Sequence, residues 1–193
     1  MNNLMQQAAA HAQSNPSEEQ GDVSLLQFLD LQQVNCLNEE DEHNFKSIIG
    51  TKQLNSSNSY LESDADEQLL LNIAFNQTVR VKSIVIKSTE IAYAPKKIKL
   101  SVNKPNLGFE DVADADEPAV AQILVLDEEA VKEGKPIQLR FVRFQKLSSL
   151  HIFVESNHGN EDFTRINAID IIGVPVETTK DLSGLRMQQE PSG

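Results

Sequence analysis

From Leu69 onward, short apolar runs alternate with clusters of Asn, Pro, Gly and Asp. The runs are "LLLNIAF", "VRVKSIVIK", "KIKLSV", "AVAQILVL", "IQLRFVRFQ", "LHIFVES" and "INAIDIIGV". They are rich in Val, Ile, Leu and Phe with no long helical pattern between them, so they predict about seven strands. A βαβ fold would set helices between its strands, so the expected class is all-β, an antiparallel sandwich. Within "VRVKSIVIK", Val79 and Val81 share one face while Ile84 and Ile86 share the other. A one-residue slip turns a strand inside out, so a bulge is expected near Lys82 and Ser83. Ile98, Leu100 and Val102 alternate with Lys97, Lys99 and Ser101, the pattern of a strand with one wet face.

Ahead of Leu69 the texture is helical and polar. Residues 1–22 pass from "NNLMQQAAAHAQ" to "SNPSEEQGD" and are expected to form a disordered or frayed linker. Ser24 and Gln27 have capping-box spacing before "LLQFLDL", which predicts a short helix docking Leu25, Leu26, Phe28 and Leu29 on the domain. Asn38 is placed to cap a second helical turn through "EEDEHNFKSII", with acids in its first turn and Gly50 as its stop. One domain over 23–176 and a flexible tail over 177–193 complete the expected organisation.

Charge and composition remove whole classes of partner. Lys and Arg total 17 against 29 Asp and Glu, a net charge of -12, which repels a phosphate backbone and argues against nucleic acid. No apolar run approaches the roughly 18 residues that cross a bilayer, so no membrane partner is expected. The single Cys36 cannot close an intramolecular disulfide, and no basic-then-apolar segment opens the sequence. The expectation is an intracellular, reducing compartment.

Catalytic and metal chemistry find little footing. Asp64 and Asp66 alternate as calcium ligands do, yet no turn glycine and no distal Glu follow at the required spacing, so a solvated acidic loop is expected. Zinc is excluded by one Cys and no His pair at ligand spacing, and phosphate cradling by 8 scattered glycines. No CxxC occurs, so dithiol chemistry within the chain is excluded. Cys36 has no nucleophile-elbow or protease context and reads as a small buried hydrophobe. His43 is expected to be exposed, His151 to be an ordinary strand residue, and His158 to face solvent on a loop, where function often resides. Arg140 and Arg143 differ by an odd number, so a regular strand would point them to opposite sides, one pairing with an acid and one free for a partner.

Four blocks, "CLNEEDEHNF", "YLESDADEQLLLNIAFNQTVRVKSI", "LRFVRFQKLSSLHIFVESN" and "TRINAIDIIGVPV", resemble the PITH domain family in content and order, over roughly Leu25 to Val176. The resemblance implies a jelly-roll β-sandwich similar to galactose-binding-like domains. It also implies a monomeric, non-catalytic domain without cofactor or metal that associates with the regulatory particle of the 26S proteasome in cytoplasm and nucleus. It makes Glu62, Asp64, Asp66, Glu67 and Arg165 of "TRI" candidates for docking, beside Arg140, Arg143 and His158. No redox domain accompanies these blocks, so the chain is expected either to stand alone or to be the C-terminal part of a longer protein. The alternative, carbohydrate or small-ligand binding at the loop end, rests on fold analogy; sugar stacking would want aromatics, and there is no Trp and only 2 Tyr.

Overall fold

The computed structural model describes residues 21–176. Apart from Gly21 and Asp22, the expected N-terminal linker and C-terminal tail lie outside the described residues. Among the described residues ten strands are formed: β1 (Val23–Ser24), β2 (Asn35–Leu37), β3 (Leu61–Glu62), β4 (Leu69–Lys87), β5 (Pro95–Val102), β6 (Gln122–Val125), β7 (Ile137–Gln138), β8 (Leu147–Asn157), β9 (Arg165–Ile166) and β10 (Ala168–Pro175).

The runs "LLLNIAF" and "VRVKSIVIK" are one strand rather than two. Its first half, Leu69 to Ala74, pairs with β8 and β2, and its second half, Val79 to Lys87, pairs with β10 and β7. Asn76, Gln77 and Thr78 between them are exposed and stand out of register. Without Pro or Gly to stop it, the chain bends there and serves both layers. The layers run β6-β5-β8-β4-β2 and β1-β10-β4-β7, all antiparallel. Leu69, Leu71, Ile73, Val79, Val81, Ile84 and Ile86 of β4 all enter the core between them, with Leu100, Ile152 and Ile171 from its neighbours.

The bulge expected near Lys82 is present: Ile172 opposes Ser83 and Gly173 opposes Val81, so Lys82 is the extra residue. Gly173 is required there, because a Cβ would lie 1.9 Å from the Arg80 carbonyl oxygen.

The short helix expected from Leu25 forms as a single 3-10 turn, Leu25–Phe28, in which the Ser24 hydroxyl accepts from Leu26 N–H at 3.4 Å, and it docks Leu25, Leu26, Phe28 and Leu29 on the core. Other local expectations are overturned. Gln27 does not close a capping box, since its amide donates to the Ser24 carbonyl. Asn38 caps no helix: it takes a left-handed backbone, φ 70°, and the helical turn is only Lys46–Ile49, where the Asn44 side chain accepts from Ser47 N–H. The face of β5 expected to be wet is covered at Lys99 and Ser101, while Lys97 stays half-exposed. Lys99 is 4% exposed and Ser101 is buried, because the segment after β5 folds back over the outer face of the sheet. Leu107, Phe109 and Val112 of that segment pack on Leu37, Leu70 and Phe153. The Lys99 ammonium donates to the carbonyls of Val112, Ala113 and Ala115, which end the helical turn Phe109–Val112. "IQLRFVRFQ", finally, is not a strand throughout: β7 stops at Gln138 and a 3-10 turn, Phe141–Arg143, follows.

Candidate protein-interaction surface

The acidic loop before β4 is mostly committed to the fold. Asn38, folded back by its positive φ, donates its amide to Asp66 Oδ1 at 2.9 Å and to the Gln68 carbonyl at 2.7 Å, and accepts from Ala65 N–H. Asp66 Oδ1 also accepts from Gln68 N–H, an Asx turn that a short acidic side chain forms readily. Glu62 pairs with Arg165, at 3.0 Å, and Glu90 takes the other arm of that guanidinium. Burial alone would lower the pKa of Arg165, but Glu62 and then Glu90 outweigh it and raise it. The same guanidinium lies over Tyr60, 4.7 Å from its centroid, and near Tyr93 and Phe163. His43 is not freely exposed: it stacks on Tyr60 with centroids 4.0 Å apart. Thr164, fully buried, gives its hydroxyl to the Glu67 carbonyl and its N–H to Ser63 Oγ, fastening "TRI" to the acidic loop. Of the four acids, Asp64 and Glu67 make no side-chain hydrogen bond among the described residues.

His158 is not solvent-facing. Its side chain is 7% exposed beneath Glu128, and its backbone N–H donates to the Ala94 carbonyl. Cys36 is buried in the core, and burial, followed by Glu39, pushes its thiol pKa far above the ordinary value. A thiolate nucleophile is thereby disfavoured. Among the described residues, no group of three or more His, Cys, Asp or Glu is arranged to hold a metal ion.

Arg140 and Arg143 stand differently from the expected strand. The segment 139–144 is fastened to the β4 bulge at both ends: Leu139 N–H donates to the Lys82 carbonyl, and Val81 N–H donates to the Phe144 carbonyl. Leu139 and Phe144 are buried, so the residues between them must project as a turn. A 3-10 turn brings i and i+3 to one side. Arg140 and Arg143 accordingly meet the same segment, Arg140 pairing with Glu117 and Arg143 donating to the Pro118 carbonyl at 3.0 Å. The Arg140 hydrogen bond, then that from Ile123 N–H, hold the Glu117 carboxyl below its usual pKa. Gln122 Oε1 accepts from Arg140 N–H, and the Gln145 amide donates to the Phe141 carbonyl. At the tip, Phe141 is 57% exposed and Val142 is 70% exposed. The turn thus presents two large apolar side chains framed by two guanidiniums, only one of them matched by a carboxylate among the described residues. Aromatic and Arg side chains of this kind dominate the centres of protein interfaces. Sequence reasoning picked the arginines and missed Phe141 and Val142, which a strand reading consigns to alternate faces.

Comparison with known proteins sets the arrangement in context. A family model described as the PITH domain matches residues 15–191. Thioredoxin-like protein 1 of Schizosaccharomyces pombe is 39% identical over 170 residues, 86% of this chain and 57% of the relative, so the chain spans little more than half of that protein. PITH domain-containing protein 1 of Danio rerio is 33% identical over 159 residues, 82% of this chain and 73% of the relative. Among solved structures, the family 32 CBM from C. perfringens NanJ, in complex with galactose, has a TM-score of 0.55 at 11% identity, covering 78% of this chain and 98% of that one. That likeness establishes the fold, a jelly-roll β-sandwich. The match over nearly the whole length and the curated relatives together establish that the chain belongs to the PITH domain family.

Proposed function

We propose that this chain is a non-catalytic interaction domain that docks on the regulatory particle of the 26S proteasome, in cytoplasm and nucleus, as a monomer. The observation that carries the docking reading is the Arg140–Arg143 turn, where Phe141 and Val142 stand in solvent on a base hydrogen-bonded to β4. A soluble domain gains nothing for its own stability from such a pair, and its burial against a partner removes apolar area from water. The proteasome is proposed as the partner on the strength of the resemblance to the PITH family alone. The non-catalytic reading is supported by the burial of Cys36 and by the absence of a CxxC in the sequence. Asp64 and Glu67 remain secondary contact candidates, while Glu62, Asp66, Arg165 and His158 serve the fold.

Capture from cell lysate tests this reading. The full chain should retain regulatory-particle subunits, and Phe141→Ser with Val142→Ser should lose them while keeping the wild-type circular dichroism spectrum. Equal retention by the double variant would place the contact elsewhere. No retention by the wild type would remove the proteasome from the account.

A further inference from the structure

The outer face of the first sheet has two halves. The apolar half, Leu37, Leu70 and Phe153, is covered by the segment after β5. The other half stays open as a groove of about 690 Å³, walled by residues 30–35 and 103–107. That volume lies within the about 300–1,000 Å³ typical of small-ligand sites.

Its floor is a cross-strand ladder. Asn35 opposes Asn72, and Asn72 opposes His151. Lys104 N–H donates to His151 Nε2, His151 Nδ1 bonds Asn72 Oδ1 at 2.7 Å, and the Asn72 amide donates to Asn35 Oδ1 at 2.9 Å. Because Nε2 accepts a backbone N–H, it carries no proton, and Nδ1 is the donor to Asn72. Burial, then the Lys104 ammonium, push the His151 pKa down to about 4, in keeping with a neutral ring. The floor is therefore fixed and uncharged. Above it, the amides of Gln33 and Asn106, the Asn35 Nδ2 and the Lys104 ammonium make no side-chain hydrogen bond among the described residues, and Asp30 keeps one carboxylate oxygen unbonded.

We propose that this groove binds a short extended peptide segment through its backbone. A carboxamide offers a donor beside an acceptor, the complement of one peptide unit's C=O and N–H. Gln33 on one wall and Asn106 on the other supply such pairs, and Asn35 adds a free N–H donor. Asp30 on one wall and Lys104 on the other give the groove one charge of each sign, which suits a segment of balanced charge better than a polyanion or polycation. A saccharide fits less well: both tyrosines are engaged around Arg165, and the aromatic side chain lining the groove, Phe75, is buried. The site is separate from the Arg140–Arg143 turn, and its occupancy does not depend on the proteasome reading.

The test is a displayed random heptapeptide library selected on the full chain, followed by nuclear magnetic resonance titration with one selected peptide. Amide shifts should concentrate at Asn35, Asn72, His151 and 103–107. Asn35→Ala with Asn106→Gly should bind the peptide at least fivefold more weakly. Both positions are exposed, and glycine suits the positive φ of Asn106, so the fold should survive. Phe141→Ser with Val142→Ser should bind the peptide as wild type does, which separates this site from the turn. Failure to select any peptide, or shifts outside the groove, would overturn the proposal. So would galactose or N-acetylgalactosamine, added alone, producing the groove shifts that the peptide does not.

Discussion

Replacing Lys99 by Met asks whether a buried cation holds the cover of the first sheet in place. The ammonium has three N–H bonds and gives them to three carbonyls, at 3.1, 2.9 and 2.7 Å, so its donor capacity is filled. Hydrogen bonds to a charged group contribute about 1.5–3 kcal/mol each. Against them stands the desolvation of the cation, several kcal/mol in a buried site, a cost that Met does not carry. The three carbonyls also fare differently once the ammonium is gone. Ala113 is exposed and Ala115 half-buried, so their oxygens can regain water, whereas Val112 is buried. One carbonyl left without a partner costs about 1–3 kcal/mol. The net expectation for Lys99→Met is a loss of about 2 kcal/mol. With a urea slope of about 2 kcal/mol/M, the unfolding midpoint should fall by about 1 M. Hydrogen exchange should show amides from 103 to 115 losing protection ahead of the strands. A variant as stable as the wild type, with that segment equally protected, would refute the reasoning.

Other expectations follow from the same contacts. His151 titrates near 6.5 unfolded and near 4 folded, so the unfolded chain binds the extra proton between those values. Its contribution is complete above pH 6.5 and is lost as pH falls toward 4; the full shift corresponds to about 3.4 kcal/mol, which screening by solvent in the groove trims to about 2–3 kcal/mol. His151→Gln should therefore lose less stability than wild type between pH 7 and 4.5, and parallel curves would contradict this. Gly173→Ala drives a methyl into the Arg80 carbonyl and should cost at least about 3 kcal/mol in a thermal melt; an unchanged melting temperature would show that the bulge yields easily. Arg165→Met leaves the largely buried Glu62 carboxylate without its cation and should destabilise by about 2 kcal/mol, with Glu62→Gln in the same chain restoring part of it.

The bulge at Lys82 was legible because the change of apolar parity in "VRVKSIVIK" is itself the structural cause. The same signal sits in "LRFVRFQK", where Leu139 and Phe144 have opposite parity, and it marks the turn that a strand reading missed. The burial of Lys99 was not legible. Alternation showed its face of β5 but could not show that Phe109 and Val112, ten and more residues later, would fold over it. Nor could the role of Glu62 be read locally, since its partner Arg165 arrives from the far end of the chain. His158 carried loop composition into a packed position, because its backbone is fixed to Ala94 and not because of its neighbours in sequence.

In the proposed function, Phe141 and Val142 seat the domain on the proteasome regulatory particle. The direct measurement is a fluorescence anisotropy titration of labelled full chain with purified regulatory particle, at two salt concentrations. Phe141 alone exposes on the order of 100 Å² of apolar surface, worth about 2 kcal/mol if buried on binding. Saturable binding by the wild type is expected, weakened at least tenfold in Phe141→Ser with Val142→Ser, and weakened by Arg143→Glu more strongly at low salt than at high. Wild-type affinity in the double variant, at either salt concentration, would contradict it.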